Sequence, residues 1–142
     1  MPIRNFPFLT LTPDNFPRPW LQVTITNPHT GKKLSSFGLI DTGADECTVP
    51  AFMAWELGHN LARGVKKEIG TAGGKAIAYT HTTSIKIRDA RQKGNDVVYI
   101  IPDTPIDFAE GLDCVLLGVN LFLDNFILTV DYPKQVFSLH KP

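Results

Sequence analysis

The feature that most limits what this chain can fold into is a two-residue hydrophobic period. After Trp20, the apolar Leu21, Val23 and Ile25 alternate with Gln22, Thr24 and Thr26, a spacing that puts the apolar side chains on one face of a strand. Asn27-Pro28-His29-Thr30-Gly31 carries turn-forming residues, and Leu34 to Ile40 follows as the return strand of a hairpin. Lys66 to Arg88 reads as a long hairpin with a glycine tip at Gly70, Gly73 and Gly74. Val97 to Ile101 is a β-branched strand, and Cys114 to Leu117 is a short buried strand ending at Gly118. Phe126 to Val130 and Gln135 to Leu139 form a closing hairpin around Tyr132-Pro133-Lys134. Asp89 to Asp96 reads as a polar turn, and Pro102 to Gly111, with its two prolines, as an irregular loop. Helical signals are brief: Pro50 to Leu57, with proline near the start and Gly58 as a stop, and a turn at Asn120 to Asn125. Many strands with one or two short helices predict an all-β, barrel-like single domain.

Residues 1–19 hold five prolines, Pro2, Pro7, Pro13, Pro17 and Pro19. Proline lacks the N–H for a ladder and breaks a helix, so this segment reads as an extended Pro-rich N-terminal arm, able to dock on a partner subunit, ahead of a domain at 20–142. A chain of 142 residues that is 43% hydrophobic fills a core without metals or disulfides. Fourteen basic residues cancel fourteen acidic ones with no basic stripe, which argues against a nucleic-acid partner. The apolar stretches Val115 to Leu123 and Phe126 to Val130 are broken by Gly118, Asn120 and Asp124 and fall short of the about 20 residues that cross a bilayer, so no membrane is expected. Two cysteines, Cys47 and Cys114, and an N-terminus without a basic-then-apolar leader predict reduced thiols in a cytoplasmic setting. His29, His59, His81 and His140 lack metal-ligand spacing and no Gly-x-Ser-x-Gly occurs, so neither a metal, a cofactor nor a serine nucleophile is expected.

The chemistry concentrates at Gly38-Leu39-Ile40-Asp41-Thr42-Gly43-Ala44. An apolar strand delivers the Asp41 carboxylate away from bulk water, and Gly43 lets the backbone turn tightly and leaves room for another group to approach. A turn closed by an Asx-type hydrogen bond fits the same triplet, so its surroundings must decide. In order along the chain come the strand into Asp41-Thr42-Gly43-Ala44-Asp45, the glycine-tipped Glu68-Ile69-Gly70-Thr71-Ala72-Gly73-Gly74, and Val115-Leu116-Leu117-Gly118 before Asn120-Leu121-Phe122. This succession resembles the retropepsin-like aspartic peptidases, the fold of retroviral proteases and their cellular relatives, across most of 21–139. Gly70 to Lys75 also looks like a phosphate loop, but it is one residue short, has Ala76 where Ser or Thr would bind magnesium, and leads into strand-like sequence.

The resemblance implies a retropepsin-like acid-protease barrel with a flap hairpin, and an aspartic endopeptidase acting on extended peptide or protein substrates. Asp41 would be catalytic, Thr42 and Gly43 would support it, and Ala44, Asp45, Ile69, Gly70, Gly73, Gly74 and Leu116 would meet the substrate. Hydrolysis by this route needs two close carboxylates sharing a proton. The chain has one Asp-Thr-Gly and no second Asp-(Ser/Thr)-Gly, so a homodimer with Asp41 from each copy at its two-fold axis is implied. A catalytically silent peptide-binding module on the same fold is the alternative. The retroviral pattern has an arginine after the second segment's glycine, paired with the aspartate corresponding to Asp45. Here Val119 stands there, leaving that pair absent or supplied by Arg18 or Arg63.

Overall fold

The structure is a computed structural model that describes residues 2–71 and 73–142. Met1, in the N-terminal arm, and Ala72, in the expected flap, lie outside the described residues. The strands are β1 (Ile3–Pro7), β2 (Trp20–Thr26), β3 (Lys33–Ile40), β4 (Thr48–Pro50), β5 (Val65–Thr71), β6 (Gly74–Arg88), β7 (Val97–Ala109), β8 (Val115–Leu117), β9 (Ile127–Asp131) and β10 (Val136–His140). One α-helical turn, α1 (Met53–Glu56), and 3₁₀ turns at Leu61–Arg63 and Leu123–Asn125 complete the elements.

A seven-stranded sheet runs β2-β3-β8-β4-β7-β6-β5, and an additional β2–β6 pairing closes six of its strands into a barrel. That leaves β5 paired to β6 alone, so the β5–β6 hairpin projects from the barrel wall. The alternation in β2 decides the interior: Val23 and Ile25 are fully buried and meet Ile85, Ile87, Phe108, Val115 and Leu117 from the surrounding strands. Burying one such side chain stabilises by roughly 1.5–3 kcal/mol, so this cluster holds the barrel shut.

Within the expected N-terminal arm, residues 2–19 fold back on their own chain. Strand β1 pairs antiparallel with β10, Ile3 opposite Leu139 and Phe6 opposite Phe137, and both side chains sink into the core. Pro7 ends this edge strand, where a missing N–H does no harm. The loop expected at Pro102 to Gly111 is instead the second half of β7. Pro102 falls in a bulge, where Ile101 faces Ile85 but Thr104 faces Thr83, and β7 meets β4 only from Asp107 onward. Both prolines therefore sit where no second neighbour needs a donor. The expected helix at Pro50 to Leu57 shrinks to α1, because Pro50 closes β4. Gly58 does stop it, at φ +71.

His59 and His81, far apart in sequence, stack with ring centroids 4.6 Å apart, and both pack edge-on against Phe108 at the root of the β5–β6 hairpin. Among the described residues no helix is long and apolar enough to cross a membrane.

Candidate active site

Strands β3 and β8 run parallel with Ile40 beside Leu117, so Asp41 emerges just past the end of β8. Its N–H donates to the Leu117 carbonyl at 3.0 Å, which pins the start of the loop to the barrel. The Gly43 N–H donates to Asp41 Oδ1 at 3.0 Å, and the Ala44 N–H to the Asp41 carbonyl at 3.2 Å. The Asx turn that offered an alternative reading of the triplet is thus present, and its effect is to fix the carboxylate's direction. Asp41 is half-buried, while Thr42 and Gly43 are exposed beside it.

The segment after β8 grips the same loop from behind. Val119 N–H donates to the Ala44 carbonyl at 3.0 Å, Asn120 N–H to the Asp45 carbonyl at 2.7 Å, and Asn120 Nδ2 to Glu46 Oε1 at 3.1 Å. Contact is so close at Gly118 that a Cβ there would fall 2.3 Å from the Glu46 carbonyl oxygen and 2.7 Å from that of Ala44. A Cβ on Gly38 would likewise meet Leu117 Cγ at 2.7 Å. These glycines are required by packing, since any larger residue must push backbone or a buried leucine aside. Sequence reasoning gave Asn120 no role at the site, yet its backbone N–H holds the Asp45 carbonyl and its side chain holds the Glu46 carboxylate. Arg18 is engaged elsewhere, by the Asp14 carboxylate at 2.8 Å.

Asp41 opens into a cleft of about 1060 Å³. Of the residues expected to meet a substrate, Ala44, Asp45, Ile69, Gly70, Gly73 and Leu116 line it together with Gly43, whereas Thr42 and Gly74 do not. One wall is the β5–β6 hairpin, in which Ile69 faces Ala76 and Gly70 faces Lys75. Thr71 Oγ1 donates to the Gly74 carbonyl at 2.9 Å, and Gly74 takes φ +117, which a side chain would strain. The far wall adds Thr48, Asp107, Ala109, Glu110, Gly111 and Leu112, none of which sequence reasoning singled out.

Six carboxylates, Asp41, Asp45, Glu46, Glu68, Asp107 and Glu110, and two lysines, Lys67 and Lys75, line this cleft. Lys67 Nζ lies 2.9 Å from Asp107 and Lys75 Nζ lies 3.1 Å from Glu68. Asp107 is almost wholly buried and also accepts the Thr80 hydroxyl at 3.0 Å. Both cysteines are free. Burial pushes the Cys47 thiol up to about 12, and it raises Cys114 too, with Asp113 and then Asp41 adding to the shift. Neither thiol is poised as a nucleophile at neutral pH.

No family model matches the sequence, and no curated protein matches it. Solved structures do. A retropepsin-like aspartic protease from Rickettsia conorii superposes with a TM-score of 0.66 at 19% identity, covering 98% of each chain. The EIAV protease, solved with the inhibitor HBY-793, aligns at 25% identity over 80% of this chain and 93% of its own, with a TM-score of 0.46. The near-complete overlap with the Rickettsia protein establishes that the chain adopts the retropepsin-like fold.

Proposed function

We propose that this protein is an aspartic-type endopeptidase that works as a homodimer on extended peptide substrates. The observation that carries the reading is the Asp41 carboxylate, held by its own loop at the floor of a large cleft that a projecting hairpin borders. One copy supplies one Asp41, and peptide hydrolysis needs a base to take a proton from water and an acid to polarise the scissile carbonyl. Two Asp41 side chains meeting at a two-fold axis fill both roles, because like charges that close share a proton. Thr42, exposed next to the carboxylate, is available to the other copy's loop. The hairpin serves as a flap: its strand edge accepts an extended peptide by backbone pairing, and its closure excludes water. The two unpaired thiols fit a reducing cytoplasm.

The test is cleavage of a mixed peptide library at mildly acidic pH, with and without an aspartic-peptidase inhibitor, beside Asp41→Asn. Inhibitor-sensitive cleavage should fall about 10³-fold or more in the variant, with an unchanged unfolding midpoint. A stable dimer that cuts nothing selects a silent peptide-binding module instead, and a monomer removes the catalytic reading altogether.

A further inference from the structure

The charges of the cleft do not balance, and the imbalance selects a substrate class. Both lysines are taken, Lys67 by Asp107 and Lys75 by Glu68. Asp41, Asp45, Glu46 and Glu110 remain, and among the described residues no lysine or arginine pairs with them across the cleft. An acidic peptide entering here meets like charge at every turn. A basic one meets a concave surface of opposite sign, which raises its local concentration.

Asp107 gives that general attraction a particular seat. It lies in register between Thr48 on β4 and Thr80 on β6, so a polar row crosses the cleft wall on one face. The side chain is 4% exposed, yet Lys67 binding it from the hairpin is 40% exposed. A carboxylate has about four acceptor positions, and here one oxygen takes Thr80 and the other takes Lys67. Lys67 reaches Asp107 on a flexible stem and can swing out to water, while a buried carboxylate must keep a cation or lose much of its stability.

We infer that the cleft selects basic peptides, and that a substrate Arg or Lys side chain seats on Asp107 in exchange for Lys67. This deepens the endopeptidase reading and rests on it for cleavage, but binding can be measured without catalysis. An arginine is the better occupant, since its fork can engage both carboxylate oxygens.

The Asp41→Asn protein is titrated with fluorescent extended peptides that differ at one position, Arg, Gln or Glu, at low and high salt. The Arg peptide should bind about tenfold tighter than the Glu peptide at low salt, with Gln between, and the gap should narrow as salt rises. Asp107→Asn, an isosteric change, should compress that gap severalfold, and Lys67→Met, which removes the competing cation, should widen it. Equal or tighter binding of the Glu peptide overturns the inference, as does a gap untouched in both variants or no binding of any peptide. Wild-type protein is then assayed for cleavage of the same set. Arg-selective binding without Asp41-dependent cleavage upholds this inference and sinks the peptidase reading, whereas Asp41-dependent cleavage without charge preference does the reverse.

Discussion

Gly38 and Gly118, behind the Asp41 loop, are glycines because backbone and buried side chains press against them; Gly70 and Gly73, in the hairpin across the cleft, stand in open space with nothing within 4 Å of where a Cβ would be. The same residue type thus serves two opposite ends. On the floor it permits contact, so the loop carrying Asp41 is clamped by backbone bonds from Leu117, Val119 and Asn120. In the hairpin it withholds contact: along β5 only Ile69 is even half-buried, and among the described residues β6 is its sole strand neighbour. On the endopeptidase reading, a rigid floor would keep the Asp41 carboxylate in place while a sparsely packed wall would open at low energy. The glycine contacts divide a tightly packed region from a loosely packed one.

The sharpest way to break this comparison is to put a methyl group where the floor has no room. Gly118→Ala should destabilise the protein by about 3 kcal/mol or more, the upper end of overpacking, because the atoms it strikes belong to backbone. Chemical denaturation of the variant checks it, and a loss under about 1 kcal/mol would mean the loop yields easily and the floor is not rigid.

A smaller effect separates the hairpin's root from its tip. His59, packed on His81 and Phe108 and bonded to Thr83, has its titration lowered from the ordinary 6.5 to about 4, chiefly by burial, with His81 and His29 adding to it. The unfolded chain therefore takes up this proton first as pH falls. Stability tied to His59 is complete above 6.5 and drains away between there and about 4. Since the ring is only half-buried, solvent screening leaves a loss of about 1–2 kcal/mol. Comparing urea midpoints at neutral pH and near the lower limit, at fixed protein concentration, for wild type and His59→Gln measures it: the pH-dependent part should shrink in the variant. An equal drop in both proteins would move the acid sensitivity elsewhere.

How much of this was legible beforehand follows from how local each signal is. The β2–β3 hairpin, the glycine-tipped β5–β6 hairpin and the β9–β10 hairpin were readable because period and turn lie within one short window. The Asp41 loop was readable as well, since strand, carboxylate and Gly43 are consecutive. Strand β1 was not, because its partner β10 lies at the other end of the chain. The second half of β7 was hidden by Pro102 and Pro105, whose usual meaning is reversed by a bulge and an empty flank. At the site, the Asn120–Glu46 bond and the Lys67–Asp107 pair join residues distant in sequence, so no motif could announce them. Arg18 was considered for Asp45, but its near neighbour Asp14 takes it four residues away.

The smallest predicted change in stability is also the most informative about the hairpin. Gly70 sits in a strand at an unexceptional backbone angle, faces Lys75, and has no neighbour that a methyl group would strike. Gly70→Ala should therefore leave the unfolding midpoint nearly unmoved, within about 0.5 kcal/mol, or raise it slightly because alanine gives up less freedom than glycine in a strand. If opening and closing of this wall govern turnover, stiffening should lower it by roughly two- to fivefold while the Asp41 chemistry is untouched. A melting curve and a turnover measurement on one preparation decide the matter. Lost stability would show that Gly70 is packed as tightly as Gly118, and the contrast between floor and wall would collapse; unchanged turnover with unchanged stability would keep the contrast but take the rate-limiting motion away from the hairpin.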